Sequence, residues 1–317
     1  GSALMGSLRP LLAALVGWAT PIMFGGVVVG FFVPALASSV RPLLTALLVS
    51  TLAVAVMRTD PATLLASVRR PLLPALHAGF LLAVSPALMY CALLAVPVDP
   101  ALHGPLVLYA ASAAIASMPA FALLFGLDAT FLLISVTMAS LASPFTVPAI
   151  AWLAMGDTLA LTPGALGGRL AAIIAGAYIL GFVLRRLLGG DRVAGWRLPL
   201  DAFFVVAATL IGVAVMDGAL DLTLARPQAT LAIVAAVFGG SMLLVLIATL
   251  LFWPAGLTVA LGAGLASGPR AISFVLAAVG AAASDELIMV VAAAQLPIFV
   301  FPLFQRPLIH RLMARPN

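Results

Sequence analysis

About ten stretches of roughly twenty mostly apolar residues, set apart by short segments holding Pro, Gly and Arg, constrain this chain more than any other feature. A helix needs about 20 apolar residues to cross about 30 Å of hydrocarbon, so a succession of such runs predicts an all-α membrane protein. The runs lie near residues 10–33, 42–57, 71–95, 105–125, 129–155, 168–187, 200–216, 228–252, 258–282 and 287–305. The second and seventh are short and call for tilt or for help from flanking residues. Composition points the same way: 64% of the 317 residues are hydrophobic and 8% are charged, too apolar for a water-facing globule. The first run is followed by many of its own length, so it reads as a span and not as a cleaved signal.

All 15 basic residues are arginines, and they fall unevenly. With the N-terminus cytoplasmic, one side receives Arg9, Arg58, Arg69, Arg70, Arg185, Arg186, Arg192, Arg197, Arg270, Arg306, Arg311 and Arg315. The other receives Arg41, Arg169 and Arg226. The positive-inside rule then predicts a multi-pass inner-membrane protein with both termini cytoplasmic. The outer turns hold Asp99, Asp157, Asp217, Asp221, Asp285 and Glu286. A pI near 10.6 would imply nucleic acid for a soluble chain. Here topology accounts for the charge, so the bilayer is the expected partner and nucleic acid is not.

The spans form two groups of about five, with the polar stretch from Arg185 to Trp196 between them. An odd number per group turns the halves into inverted repeats, residues 1–187 holding the first repeat plus helix six and 188–317 the rest of the second. An internal echo agrees: Ser143-Pro144 to Pro148 in the fifth span answers Pro297 to Pro302 in the tenth. Folds of this kind hold solute at the midplane between discontinuous helices in corresponding positions of the two halves. The fourth span runs through small residues from Ala111 to Pro119, and the ninth carries Gly262, Gly264, Gly268-Pro269 and the small-residue run from Ala277 to Ser284. Both read as helices that unwind, since proline removes a backbone donor.

Among single residues, His77 lies within the third span, where an ionisable group either relays protons or donates one hydrogen bond to a neighbouring helix. Thr137, Ser140 and Ser143 form a narrow polar stripe along the fifth span, with Ser135 nearby. Arg270 reads as a topology-setting charge at the cytoplasmic start of the ninth span, and Asp217, Asp221, Asp285 and Glu286 as solvated turn residues. Cys91 reads as a small core residue, and Trp18, Trp152, Trp196 and Trp253 as interfacial anchors or packing groups. No nucleophile elbow, metal-ligand cluster or phosphate-cradling loop is visible, so neither enzymatic activity nor a cofactor or metal is expected.

The run Ala116-Ser117 through Leu141, Ser143-Pro144, Pro148 and Ile150 resembles the fourth and fifth helices of the bile acid:sodium symporter family. The likeness continues at Arg58 to Pro61, at His77 to Phe80 and at Gly268 to Ser273. It implies ten helices in a panel domain, about 10–57 and 168–216, and a core domain, about 71–155 and 228–305, with helices four and nine crossing. It also implies two sodium ions at the crossing, beside a cavity for an organic anion. The family's fourth-helix motif falls here on Ser112 to Met118, its ninth-helix Glu-x-Gly-x-Gln-Asn on Val275 to Gly280, and a third-helix glutamine on Gly79. The carboxylate and amides are gone, and a hard cation such as sodium needs about five or six oxygens. The resemblance therefore predicts alternating-access transport of a small organic, amphipathic or anionic substrate without sodium coupling, facilitated or proton-coupled through His77. Ser112, Ser117, Met118, Pro119, Thr137, Ser140, Ser273, Val279 and Gly280 are its expected substrate contacts. A sodium symporter with rebuilt ligands and a non-transporting ligand sensor are the alternatives.

Overall fold

A computed structural model describes residues 2–59, 71–156 and 161–314. The expectations on Asp60, Pro61, Arg69, Arg70, Asp157 and Arg315 lie outside the described residues. Those described are helical, with one isolated backbone bridge and no strand. Seven helices are long and apolar enough to cross a membrane: Pro34–Arg58, Leu72–Leu94, Ala129–Met155, Pro163–Leu188, Arg197–Ala225, Pro227–Ala255 and Asp285–Met313. The chain is therefore a helical membrane-embedded protein. The first apolar run is a bent pair, Arg9–Gly17 and Ala19–Phe32, at 70° to one another. Pro21 cannot donate to the carbonyl four residues earlier, at Gly17, which weakens the helix at that point.

Two expected short spans are longer than read. Pro42 does not start the second, because it sits in a single 3-10 turn, Arg41–Leu43, between Pro34–Val40 and Leu44–Arg58. The seventh does not stop at Asp217: after a turn at Gly218, φ 79°, helix resumes over Ala219–Ala225 and takes in Asp221. Cys91 is exposed and not part of the core. In a chain whose surface meets lipid, an apolar residue needs no interior position to be content.

The chain divides into two compact units, Gly1–Thr63 with Ile173–Asp221, and Leu64–Ala172 with Leu222–Asn317. In the first, Ala19–Phe32 lies close along Arg197–Ala214. A Cβ at Gly26 would come within 2.7 Å of the Thr209 carbonyl, and one at Gly30 within 2.7 Å of Val213 Cα. This is a small-xxx-small contact, which lets backbones approach where lipid supplies no hydrophobic drive. At one end Arg58 pairs with Asp201 at 2.7 Å, and Arg185 Nη1 donates to the Met57 carbonyl at 2.8 Å.

The second unit has a continuous core that includes Leu81, Met118, Ala122, Leu132, Ala139, Ala260 and Leu265. Two of its long helices start on side-chain caps. Asp128 accepts from Phe131 N at 2.9 Å ahead of Ala129–Met155, and Ser284 accepts from Leu287 N at 3.2 Å ahead of Asp285–Met313. Pro144, Pro148, Pro297, Pro302 and Pro307 lie inside those two helices, as membrane surroundings tolerate when neighbouring elements support the freed carbonyls.

Candidate functional site: a buried polar network where two interrupted helices meet

Two further apolar runs in the second unit are broken in the middle. His103–Ala111 ends at Ser112, whose backbone is extended (φ −67°, ψ 148°), and helix resumes as Met118–Leu124 with Pro119 in its first turn. Leu257–Ser267 ends ahead of Gly268-Pro269, and helix resumes as Ser273–Val279. The breaks repair one another. Ala114 and Arg270 form an antiparallel bridge, and Ala271 N donates to the Ala113 carbonyl at 2.9 Å. Backbone groups freed from two helices thus find partners within the protein, which burial demands.

Arg270 stands at this junction and is fully buried. That burial overturns the expectation of a cytoplasmic, topology-setting charge at this position. Its Nε donates to the Ser267 carbonyl at 3.1 Å, Nη1 to the carbonyls of Ser112 at 3.1 Å and Leu81 at 3.3 Å, and Nη2 to Ser85 Oγ at 2.8 Å. Ser112 and Ser267 close the C-terminal ends of two half-helices, where unpaired carbonyls and the helix dipole favour positive charge. The Leu81 carbonyl has a different origin. Residues Phe80–Val84 form a π turn in which Ser85 N donates to the Phe80 carbonyl, one residue back from its α-helical partner. The donor five residues beyond Leu81 would be residue 86, a proline with no N–H. Leu81 is thereby left free to accept from the guanidinium.

The network extends on both sides of Arg270. Ser267 Oγ donates to the Ala263 carbonyl at 2.7 Å and lies 3.4 Å from His77 Nε2. The His77 ring spans from Ser135 Oγ, 3.0 Å from Nδ1, to the Ala263 carbonyl, 3.2 Å from Nε2. Since a carbonyl only accepts, the Nε2 contact calls for the proton on that nitrogen, and Ser135 can then donate to Nδ1. Phe80, Phe131 and Phe252 surround the ring, with centroids 6.5, 5.2 and 5.3 Å away. On the other side Tyr109 donates its hydroxyl proton to the Gly268 carbonyl at 2.9 Å and meets Ser241 Oγ at 2.7 Å. The half-helix Leu257–Ser267 comes close enough to join in because Gly264 lies against Thr249 Oγ1, where a Cβ would overlap it.

The expected contact residues fall into three groups. Ser112, Ser117, Met118, Pro119 and Ser273 border the two breaks, Ser112, Met118 and Ser273 buried, Ser117 and Pro119 half-buried. Thr137 and Ser140 lie half-buried on Ala129–Met155, which packs against His103–Ala111 and Leu72–Gly79. Val279 and Gly280 are separate: they close the far end of Ser273–Val279, seven residues and about 10 Å along the helix, where Arg169 Nη1 donates to the Ala278 carbonyl at 3.0 Å. The ninth run therefore breaks at 268–272, upstream of the segment Val275 to Gly280 on which the family's ion-binding motif was laid. Residues 277–279 are helix and not part of that break.

Sequence reasoning passed over Tyr109, Ser85, Ser241 and Ser267 and misjudged Arg270. A signal for the last was present, since Arg270 is the only charged residue between Arg226 and Asp285. A charge so isolated in an apolar sequence is an intramembrane group before it is a loop marker. No known protein family matches the chain, and no curated protein is similar to it at a meaningful level.

Proposed function

We propose that the chain is a secondary transporter of a small organic, amphipathic or anionic solute, built like the bile acid:sodium symporters, working by alternating access and not coupled to sodium. The observation that carries this reading is the pairing of two interrupted helices through Ala114 and Arg270 inside one compact unit. Irregular backbone at membrane depth survives only where protein or a water-lined path supports it, and transporters use such paired breaks to hold their solute.

Counting the bent pair and both interrupted helices with the seven long ones makes ten crossings. An inverted repeat is supported by a constant spacing. Helices starting at residues 72, 103 and 129 have counterparts starting at 227, 257 and 285, 154 to 156 residues later, and the bridged positions 114 and 270 are also 156 apart. The two compact units correspond to a panel and a core, and the core carries the junction. With Arg270 removed from the count, arginines still divide eleven against three, which favours cytoplasmic termini and an inner membrane.

Solute contacts fall to the half-buried hydroxyls of Ser117, Thr137 and Ser140 beside apolar neighbours, a lining suited to an amphipathic molecule. Sodium coupling is disfavoured because the two interrupted helices, residues 103–124 and 257–279, hold no Asp or Glu, and the buried guanidinium of Arg270 already stands where they meet. His77 is enclosed by aromatic rings and already satisfied at both ring nitrogens, so its first role in this reading is to join helices three, five and nine.

The test is flux into proteoliposomes of the purified chain, using a panel of radiolabelled steroid and aliphatic carboxylates in sodium, potassium and choline media. Uptake at equal rates in all three is expected. Uptake only in sodium returns the protein to conventional symport, and saturable binding without flux makes it a sensor. A second arm uses Cys91→Ser with Ser140→Cys: alternating access requires an impermeant thiol reagent to reach the new cysteine from either side of the membrane.

A further inference from the structure

We infer that the junction of the two interrupted helices is a cation site whose occupant is part of the chain: the guanidinium of Arg270 fills it, and no inorganic cation binds there. Four oxygens from three segments of the chain converge on the guanidinium. They are the carbonyls of Leu81, Ser112 and Ser267 and the hydroxyl of Ser85. Two of these carbonyls end half-helices and a third is released by a π turn ahead of Pro86, so each lacks the helical donor it would otherwise have. Such a set of outward carbonyls, with no neutral donor to pair with, is what coordinates a small cation in a low-dielectric interior. Among the described residues no carboxylate pairs with Arg270, so the carbonyl dipoles alone offset its charge. Arginine suits the task because its planar fork is the most weakly hydrated of the cationic side chains and carries five N–H donors, of which four are used here.

A coupling ion must leave its site in each cycle, whereas a tethered guanidinium cannot, so ion gradients do no work through this junction. The site also becomes a switchable one. Removing the side chain opens a cavity lined by unpaired carbonyls, and a free cation of the right shape restores them.

The experiment follows unfolding of the detergent-purified full chain by tryptophan fluorescence, with choline holding ionic strength constant. The wild-type midpoint is expected to stay level as sodium or methylguanidinium replaces choline. Arg270→Ala is expected to start lower and to recover saturably with methylguanidinium, on the order of 2 °C at tenfold excess over its dissociation constant. Tetramethylammonium, which has no N–H, is expected to do nothing. A sodium-specific rise in the wild type overturns the inference, and so does a folded Arg270→Ala that responds to neither methylguanidinium nor sodium. If Arg270→Ala does not fold, Arg270→Lys and Arg270→Gln decide. Lys retains the charge and Gln only hydrogen bonding, so Lys above Gln supports a cation site and Gln at or above Lys overturns it. The inference rests on the sodium-uncoupled part of the transport reading, and the arms separate the two: a sodium-specific rise in the wild type overturns both, whereas loss of the Arg270→Ala rescue overturns the cation site alone.

Discussion

Arg58 in the first unit and Arg270 in the second carry the same side chain and are held by opposite means. Arg58 meets a carboxylate, Asp201, at 2.7 Å, with 32% and 26% of the two side chains accessible and Arg197 4.0 Å from the same carboxylate. Arg270 is wholly enclosed and meets three carbonyls and a hydroxyl. Where water still reaches, charge is offset by charge at little cost and little gain. Where it does not, a paired carboxylate would bring its own desolvation penalty, and backbone dipoles already fixed by broken helices do the work without one. The difference teaches that an intramembrane arginine is stabilised by interrupting secondary structure around it, so the helix breaks and the charge belong to one device.

Four measurements press on this contrast. The largest effect is expected from Arg270→Met, which keeps much of the volume but leaves three carbonyls unpaired; at 1–3 kcal/mol for each buried orphan, a loss of about 4 kcal/mol is expected in detergent unfolding. A change below about 1 kcal/mol would mean that the carbonyls find other partners and that the contrast is false. Next comes Gly264→Ala, whose Cβ would overlap Thr249 Oγ1 and push the Leu257–Ser267 half-helix outward, carrying the Ser267 carbonyl with it. A loss of about 2 kcal/mol is expected, and Thr249→Ser should not relieve it because the hydroxyl remains. Tyr109→Phe removes the hydroxyl that joins Ser241 to the Gly268 carbonyl, for an expected loss of about 1.5 kcal/mol in the same assay. The smallest effect is expected at the rim. Arg58→Gln should cost about 0.5 kcal/mol in dilute buffer and nothing measurable at high salt, because accessible pairs are screened. Arg270→Met should show the same loss at both ionic strengths when choline chloride sets them, and a salt-sensitive loss there would erase the distinction drawn between the two arginines.

Much of the helical layout was legible because a membrane enforces it: backbone cannot be left unpaired in lipid, so long apolar runs had to be helices. Prolines misled where their tertiary setting mattered, as at Pro42, which sits inside a span that continues on both sides. Candidate-site residues were legible in one half and less so in the other. The Ser112 to Pro119 interruption was visible as small residues ending in proline. The ninth run offered too many glycines and alanines to show which of them break the helix. Only the bridge between Ala114 and Arg270 settles it, because it selects residues 268–272.

The long apolar runs therefore determined by themselves that this chain is a membrane-embedded bundle of helices, since lipid acts on every residue through a local property, its polarity. The tertiary structure alone decided that His77, Tyr109 and Arg270 share one network and that Arg270 is interior. The partners of these groups come from stretches up to 190 residues apart, such as His77 and Ser267, and no local property of a sequence records which distant carbonyl will be left without a donor.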